Sequence, residues 1–455
     1  MPLFDAPCQS GGVLFLHLVQ LNLTAMIFLI LLIVFYVTFP IVLIWLTRRF
    51  SVCKKIGAIV MAYAIGIIIA NIGILPKASE AFREATIPKD RAYIPKTEIV
   101  EMVAAGTLPE SDLKANSVAS IQDWVKTVIV PLAFPLLLFS LNIRRWLRFA
   151  GKGFLSMALA LVSVSIIVAT GFLIFKDSIP DNNKIAGMLI GCYTGGTINM
   201  AALAVALNVE PNAFIMTNTY DMIVGGITIL FFITAGPAFF RWFLPPFKAH
   251  ESKKDEKIDT DTVRQEMSEE FDDFSGMLTR GTILPLLGAL GLSVLMIAAG
   301  FGVSFLLPEV PLTITVILTI TTLGIAASFI PWINRIKKTF QMGMYLVIAF
   351  SLVISSMCDL SVIFQVRYLS LVLYVTYAYF GTILLHLFLS WIFRVDADDY
   401  LVTTTGFVYS PPFVPMVAAA LKNKDVIVTG IATGIIGWVI GNYIGVAFSV
   451  WLGNI

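Results

Sequence analysis

Charged residues are scarce in this chain, and the usual signatures of catalysis are missing. Asp, Glu, Lys and Arg together make up 13% of the sequence, against roughly 25% in an ordinary soluble domain. No His-Glu-x-x-His, Gly-x-Ser-x-Gly or Walker-type phosphate loop occurs. We therefore expect the protein not to be an enzyme, and not to be a pump driven by ATP bound to this chain.

Cysteine and N-terminal positive charge are also sparse. The four cysteines, Cys8, Cys53, Cys192 and Cys358, are scattered without the spacing of metal ligands. We therefore expect no metal centre and no cofactor other than a coupling ion. Residues 1–22 contain no Lys or Arg, so they lack the basic start of a cleavable signal peptide. Basic residues elsewhere flank apolar runs, where membrane orientation explains them better than a nucleic-acid partner does.

Long apolar runs fill most of the remaining sequence, which is 58% hydrophobic. Many of them can cross about 30 Å of hydrocarbon, and in lipid a helix satisfies its own backbone groups. We predict an all-α polytopic membrane protein, in contact with lipid, with about 12 transmembrane segments. The predicted segments are 24–46, 56–75, 122–141, 153–175, 185–208, 213–240, 282–306, 311–333, 341–357, 368–394, 400–421 and 426–453.

Two of the predicted segments contain helix-breaking residues at matching places. The run 191–200 includes Gly195-Gly196, and the run 406–415 includes Pro411-Pro412. Each is followed by small residues that end in Ala-x-Ala-Leu. Paired, interrupted segments in the two halves of a chain point to the binding site of a secondary transporter. We predict a broken helix in each half, and we expect both runs to be non-helical and close together.

The order of these features divides the chain into two repeats. Residues 1–240 are predicted to form the first transmembrane repeat, with a charged, proline-containing soluble insertion at 76–118. Residues 282–455 are predicted to form the second repeat, after a charged linker at 241–281. Asn142 and Asp359 end corresponding spans, and we expect residues 122–240 to superpose on residues 341–453.

The distribution of positive charge bears on the orientation of the two repeats. Basic clusters follow the first, third and eighth segments: Arg48 and Arg49, Arg144 and Arg145, and Arg335, Lys337 and Lys338. Placing all of them in the cytoplasm inverts the second half relative to the first. Six simple crossings per repeat would instead keep the halves parallel. We therefore expect inverted repeats in which one segment is re-entrant, split or missed.

The breaks predict the chemistry of the site. A helix interrupted in a membrane exposes unpaired backbone groups, which are tolerated only beside protein or a wet cavity. Half-helix N-termini beyond the breaks carry free donors and partial positive charge, which suit an anionic group. The predicted substrate-binding residues are Thr194, Gly195, Gly196, Thr197, Asn199, Tyr409, Ser410, Pro411 and Pro412.

Asp221 is the candidate for ion or proton coupling. It lies inside the apolar span that follows the first break, and a carboxylate in such a span is functional by default. Asn218, three residues earlier, shares its helix face and is a second candidate. The pair suits either a proton or Na⁺. Asn442, in the corresponding span of the second half, is a candidate polar partner across the site.

Three motifs occur in order along the chain: Ala70-Asn71-Ile72-Gly73-Ile74-Leu75-Pro76, Leu132-Ala133-Phe134-Pro135-Leu136-Leu137-Leu138 and Tyr193-Thr194-Gly195-Gly196-Thr197-Ile198-Asn199-Met200-Ala201-Ala202. Together they resemble the domain-of-unknown-function 819 membrane proteins. The resemblance implies a relationship to the cation/proton antiporters and bile-acid-type sodium symporters, with broken helices in a mobile core beside a panel domain. The chain departs from that family at Tyr409-Ser410-Pro411-Pro412, where the family has an Asn-x-Gly-Gly-Pro-like stretch, and it keeps only Asp221 of an Ala-Asp-Asn-like triplet.

These observations favour an ion-coupled secondary transporter of the bacterial inner (cytoplasmic) membrane. It would move a small solute, with an anionic group at the helix N-termini, together with Na⁺ or H⁺ by alternating access. Two alternatives stay open, namely a cation/proton antiporter without an organic substrate and a structural or sensory membrane protein. A homodimer is expected by analogy with related folds.

Overall fold

The computed structural model describes residues 10–51, 53, 57–86, 93–141, 143–247, 273–358, 369–423 and 425–455. Side chains are described from residue 26 onward, except those of residues 143–152. Every regular element within these ranges is helical, as the apolar runs predicted. In chain order they are α1 (Ser10–Arg49), α2 (Ala58–Asn71), α3 (Glu80–Thr86), α4 (Lys96–Ala104), α5 (Ser111–Phe139), α6 (Ile143–Phe175), α7 (Asn182–Gly195), α8 (Thr197–Ala206), α9 (Pro211–Thr234), α10 (Gly236–Phe240), α11 (Arg280–Ser304), α12 (Leu312–Ser328), α13 (Pro331–Asn334), α14 (Thr339–Ser355), α15 (Leu369–Ile392), α16 (Ala397–Thr404), a π-helical turn (Thr405–Tyr409), a 3₁₀ turn (Pro411–Phe413), α17 (Val414–Leu421) and α18 (Val426–Gly453).

Seven stretches within the described helices are long and apolar enough to cross a membrane. They are Met26–Arg49, Ser111–Phe139, Gly153–Phe175, Pro211–Thr234, Arg280–Ser304, Leu369–Ile392 and Val426–Gly453. Each overlaps a predicted segment, because an apolar run of this length can satisfy its backbone only as a helix in lipid. The prediction of a multi-pass, all-helical membrane protein is confirmed at this level.

The other five predicted segments take a different form. Three are shorter apolar helices, since α2 has 14 residues and α12 and α14 have 17 each. The remaining two, 185–208 and 400–421, are each divided between two helices. The count of twelve full-length crossings is therefore not confirmed, because hydrophobicity marks an apolar run but not the point where the chain turns inside it.

Contacts between residues divide the chain into two compact units. The first comprises Met1–Lys126 with Ser351–Met357. Within it, the Tyr36 and Ser356 hydroxyls are hydrogen-bonded at 2.6 Å, and the Gln122 amide donates to the Tyr36 oxygen at 2.9 Å. This buried polar cluster joins α1 and α5 to the residues that follow α14.

The described part of the predicted soluble insertion, 76–118, contains α3, α4 and the start of α5. Its small apolar core consists of Phe82, Ile94, Ile99 and Leu108. The buried Asp112 carboxylate accepts from the backbone N–H of Ser79 at 2.9 Å, and the Asn116 side chain pairs with both backbone groups of Ile94. The apolar core and the hydrogen-bonded polar groups indicate that this segment is folded. Its location outside the membrane stays a prediction.

The second unit comprises Thr127–Phe350 with Cys358–Ile455, and it contains two helical hairpins. In the first hairpin, α7 and α8 pack antiparallel on either side of Gly196. A Cβ added to any of three glycines on α7 would come within 3.0 Å of the facing residue: Gly187 of Leu207, Gly191 of Leu203 and Gly195 of Asn199. In these contacting pairs, the residue number rises by four along α7 as it falls by four along α8. The chain therefore reverses at Gly196, and α8 runs back alongside α7.

The second hairpin runs from α16 to α17 and reverses near Ser410. Its two ends meet, because the Asn423 amide donates to the Asp398 carboxylate at 2.9 Å. Val402 of α16 and Val414 of α17 both face Gly430 of α18. The second interrupted segment therefore also folds back on itself, and its start and end lie side by side.

One long helix, α18, packs against both hairpins through a stripe of glycines. Gly430 and Gly434 face the second hairpin, whereas Gly437, Gly441 and Gly445 face the first. A Cβ added to Gly437 would overlap the backbone oxygen of Thr194. Glycine spaced at three and four residues lets helices approach to backbone contact. The two hairpins thus lie along successive parts of one helix, with their tips meeting near its middle.

Some predictions fall outside the described residues. These are Asn142, Asp359 and residues 248–272 of the predicted linker. At the described end of the linker, the Lys338 ammonium lies 3.0 Å from the Asp273 carboxylate. Hydrogen bonds from Ser275, followed by one from Lys338, hold the pKa of the Asp273 carboxyl well below its usual range. This contact holds the segment that precedes α11 against the start of α14.

Candidate binding site where two hairpin tips meet

The tip of the first hairpin is a single residue, Gly196. It separates α7 from α8 and has φ 75° and ψ −165°, a conformation that favours glycine. A Cβ at this position would also overlap the Ser410 hydroxyl of the second hairpin. The expectation that the run 191–200 is non-helical is wrong, since one glycine with positive φ is enough to reverse the chain and the helices continue up to it.

The tip of the second hairpin is built differently. Residues Thr405–Tyr409 form a π-helical turn, and Ser410 follows with φ 107° and ψ 157°. That region is occupied almost only by glycine, and holding another residue there costs about 1–3 kcal/mol. Pro411 then starts a 3₁₀ turn because its fixed φ suits a helix start and it has no N–H to satisfy. The non-helical stretch predicted at 406–415 is thus confined to Ser410.

The two tips are in direct contact. The Ser410 hydroxyl donates to the backbone oxygen of Gly195 at 3.3 Å, and Gly196 faces Ser410 and the backbone oxygen of Tyr409. The prediction that the two runs approach each other is therefore met by the structure. A strained residue at a contact between two chain reversals is typical of functional sites.

Helix ends converge at this contact. The N-terminus of α8 begins at the tip and has no capping side chain, and the 3₁₀ turn that leads into α17 begins at the other tip. The first backbone N–H groups of α8 have no partner within the helix and carry partial positive charge. At the second tip, Pro411 and Pro412 have no N–H, and the Phe413 N–H donates to the backbone oxygen of Ser410 at 3.2 Å. No Lys or Arg occurs in residues 185–240 or 395–421, so the positive potential here comes from backbone groups.

Some of the other predicted substrate residues are accessible at the surface, whereas others are buried and already used in packing or hydrogen bonds. Thr197 is half-buried and Pro412 is exposed, while Pro411 is buried against Gly434 of α18. The Thr194 hydroxyl donates to the backbone oxygen of Ile190 at 2.9 Å. Its hydroxyl is therefore used inside α7, and Thr194 contributes packing against α18.

Asn199 lies directly behind the first tip. It is fully buried, and its amide nitrogen donates to the backbone oxygen of Gly437 at 3.0 Å. Its amide oxygen has no hydrogen-bond partner among the described residues. Asn199 therefore fastens the tip to α18 while keeping one acceptor unused.

Asp221 is buried on α9, with 9% of its surface exposed. It lies beside Cys192 and Tyr193 in the last turns of α7. One carboxylate oxygen of Asp221 and the amide oxygen of Asn218 lack hydrogen-bond partners within the described part of the chain. The Asn218 amide nitrogen contacts the Met222 sulfur at 3.3 Å. The predicted pair thus lies on one buried helix face, next to the arm of the first hairpin.

Three tyrosines extend from Asp221 to the second tip. The rings of Tyr193 and Tyr379 pack edge to face with centroids 5.7 Å apart. The Tyr379 hydroxyl is hydrogen-bonded to that of Tyr409, which also donates to the backbone oxygen of Gly225 at 2.9 Å. Tyr409 therefore joins the second tip to the helix that carries Asp221. Sequence reasoning missed Tyr379, since an aromatic residue in an apolar span carries no local mark of its partner.

Asn442 occupies another part of the unit. It is fully buried, and its amide nitrogen donates to the Thr321 hydroxyl of α12 at 3.3 Å. This contact joins α18 to α12, so Asn442 supports the helix against which the hairpins pack. Its role as a partner of the coupling residues stays a prediction.

Two comparisons bear on identity. A family model described as "Protein of unknown function (DUF819)" matches residues 99–455, well over half of the chain. The chain is also 25% identical over 339 residues to the "Uncharacterized membrane protein YjcL" of Bacillus subtilis (strain 168). That similarity covers 73% of this chain and 84% of the relative.

Proposed function

The chain belongs to the DUF819 family of membrane proteins, and we propose that it is an ion-coupled secondary transporter for a small anionic solute. Neither comparison names an activity, so the proposal rests on the chemistry of the site. The observation that carries it is the contact between the two hairpin tips, Gly196 and Ser410, near the middle of α18.

The position of the tips supports a binding site at mid-membrane. With 28 residues, α18 is about 42 Å long, enough to cross the hydrocarbon layer. The second hairpin starts and ends near the beginning of α18, whereas the first packs toward its end. The hairpins would then enter from opposite membrane faces and stop halfway. Irregular backbone at that depth is stable only where it lines a cavity or contacts protein, so a solute site explains it.

Re-entrant hairpins also account for the charge pattern. A hairpin returns to the face from which it entered and adds no crossing. Each six-segment repeat then has five crossings, an odd number, so the second repeat starts on the opposite side of the membrane. This yields inverted repeats and places all the basic clusters on the cytoplasmic face. The inversion and the likeness to cation/proton antiporters and bile-acid-type symporters remain part of this proposal.

The solute and the ion occupy different sides of the first hairpin in this proposal. The N-terminus of α8 presents backbone donors to an anionic group, with Thr197, Asn199, Tyr409 and Ser410 nearby. Asp221 lies beside the last turns of α7, and it binds the coupling ion together with Asn218, which shares its helix face. An antiporter that exchanges only cations is the second candidate, and the buried Asp221 favours it equally.

A ligand screen followed by uptake measurements tests the proposal. Purified protein is screened for anionic solutes that raise its unfolding temperature, because a ligand that binds the native state stabilises it by mass action. Each hit is then tested for uptake into sealed proteoliposomes under an imposed Na⁺ or pH gradient. Gradient-driven accumulation is expected, with liposomes lacking the protein as the control.

The uptake results also separate the alternatives. Exchange of Na⁺ for H⁺ without any solute would favour the antiporter. Absence of both movements, in protein shown to be folded and inserted, would leave a structural or sensory role. We assign the protein to the bacterial cytoplasmic membrane, and a homodimer stays a prediction.

A further inference from the structure

One face of α9 carries three buried oxygen atoms with no hydrogen-bond partner among the described residues. They are Oγ1 of Thr217, Oδ1 of Asn218 and Oδ1 of Asp221. Thr217 and Asn218 are fully buried, and Asp221 is nearly so. Leaving a buried polar group unsatisfied costs about 1–3 kcal/mol, and more for a charged one. Three such atoms on one helix face indicate that something else satisfies them.

The spacing brings these oxygens together. Asp221 follows Thr217 by four residues and Asn218 by three, so it is the neighbour of both on the helix surface. Helical side chains lean toward the N-terminus, which directs the Asp221 carboxylate toward the turn that holds the other two. The Tyr193 hydroxyl is buried and lies close enough to the Asp221 carboxylate to interact with it.

The helix opposite this face favours a positive charge. Cys192 and Tyr193 belong to the last turn of α7, which ends at Gly195. The final carbonyl groups of a helix carry partial negative charge, and the C-terminal ends of half-helices coordinate cations in transporters. Four oxygens, one of them from a carboxylate, together with a helix C-terminus form a cage suited to a hard cation.

The charge of the cage selects a monovalent ion. No group of three or more His, Cys, Asp or Glu side chains able to hold a metal occurs in the described ranges. The cage therefore offers a single negative charge, which balances one monovalent ion but not a divalent one. A proton on Asp221 would satisfy one oxygen and leave the amide and hydroxyl oxygens unmatched, whereas a metal ion contacts all of them at once.

We propose that Na⁺ binds between α9 and the last turn of α7, coordinated by Asp221, Asn218, Thr217 and Tyr193. This assignment deepens the proposed function, on which it rests, by naming the coupling ion and two ligands, Thr217 and Tyr193. It also separates the ion from the solute, since the cage lies beside the C-terminal end of α7 and the backbone donors lie at the N-terminus of α8, on the other side of Gly196.

Binding is tested on the purified full chain without any solute. The unfolding temperature is measured while NaCl replaces choline chloride at constant ionic strength and pH, and again with KCl. We expect a saturable rise with Na⁺ that K⁺ does not reproduce. Asp221→Asn should abolish the rise, and Thr217→Val should weaken the apparent affinity about tenfold, as expected for the loss of one ligand.

A matched control comes from the second hairpin. Thr403 has a fully buried hydroxyl that also lacks a partner among the described residues, but it lies on α16, away from α9. Thr403→Val should keep the wild-type response to Na⁺. Equal effects of Na⁺, K⁺ and choline on the wild-type protein would overturn the proposal whether or not the variants fold, and so would a full Na⁺ response in Asp221→Asn.

The outcome is separable from that of the proposed function. Solute accumulation driven by a pH gradient, with no Na⁺ effect on stability, would overturn the sodium site and leave the transporter standing. Saturable Na⁺ binding in a protein that moves no solute would keep the site and remove solute transport.

Discussion

Asp398 and Asn423 are hydrogen-bonded at 2.9 Å although 25 residues separate them and the whole second hairpin lies between. The Arg241 guanidinium contacts the other oxygen of the same carboxylate at 3.0 Å. Asp398 is 2% exposed and Arg241 is 44% exposed, so the carboxylate is the buried member of this cluster. One side chain therefore holds the start of the hairpin, its end and the chain beyond α10 together.

Removal of this carboxylate should loosen the base of the hairpin. We expect Asp398→Ala to lower the stability by about 1–3 kcal/mol, because it leaves the Asn423 amide without its acceptor while half-exposed Arg241 can reach water. The measurement is the unfolding temperature in detergent. Asp425→Asn, a change at an exposed acidic residue near the same end of α18, is the control. Equal stability of the two variants would contradict the role of Asp398.

The two tip residues should show opposite responses to substitution. Gly196→Ala should destabilise the protein by at least about 1–3 kcal/mol, because it places a side chain at positive φ and against Ser410. Ser410→Gly should be neutral or stabilising, since glycine adopts the conformation of Ser410 without strain. The double variant should recover part of the loss, because the overlapping hydroxyl is gone.

The control for the tip variants is Gly226→Ala on α9, where an added Cβ meets nothing within 4 Å. Unfolding temperatures of all four proteins check the prediction. Additive effects of Gly196→Ala and Ser410→Gly would mean that the two tips do not interact.

The ends of each hairpin should lie on the same side of the membrane. Asp181 and Asn208 flank the first hairpin, Arg394 and Lys422 flank the second, and all four are exposed. We expect single cysteines at Asp181 and Asn208, in a background without native cysteines, to react with an impermeant thiol reagent from one face. Cysteines at Arg394 and Lys422 should react from the other face. Labelling of Asp181→Cys and Asn208→Cys from opposite faces would mean that the first hairpin crosses the membrane.

Asp221→Asn should give a folded, inserted protein that has lost gradient-driven accumulation. The amide has nearly the same shape as the carboxylate, so the packing beside Cys192 and Tyr193 is retained, but it carries no charge to balance a cation. Solute binding should survive, because the tip residues are unchanged. Uptake into proteoliposomes and solute-induced stabilisation are measured on the same preparation. Wild-type accumulation in the variant would remove Asp221 from the mechanism.

The sequence predicted where the chain is interrupted but not what it does there. Gly195-Gly196 and Pro411-Pro412 mark both tips because glycine and proline act on the backbone locally. Whether a chain continues or reverses after such a break depends on distant contacts. Here they are the contacts of Gly187, Gly191 and Gly195 with α8, together with those of α18 with both hairpins. These partners are hundreds of positions away in some cases, and one sequence does not reveal them.

The site shows the same division. Asp221 and Asn218 were found because an ionisable or amide group in an apolar span is unusual and their spacing places them on one face. Thr217, the residue before Asn218, was not predicted as a site residue, because a threonine is common in membrane helices and usually bonds its own backbone. Only the structure shows that its hydroxyl lacks such a bond. Asn442 was predicted as a polar partner of the coupling residues from sequence symmetry alone, and that role stays a prediction. Its observed contact is Thr321.

The glycine stripe of α18 bears on how the proposed transporter would prevent solute from leaking across the membrane. The two hairpins pack against successive parts of α18, and they meet each other between Gly434 and Gly437. In the proposed transporter, a solute bound at the tips would be shielded by one hairpin from each end of α18. Movement of one hairpin away from the tips would open the site to one side of the membrane only. Movement of both at once would open a continuous pore through which solute and ions leak. The Ser410 hydroxyl of one tip is bonded to the backbone oxygen of Gly195 in the other. Each hairpin would therefore close the proposed site by contact with the other hairpin.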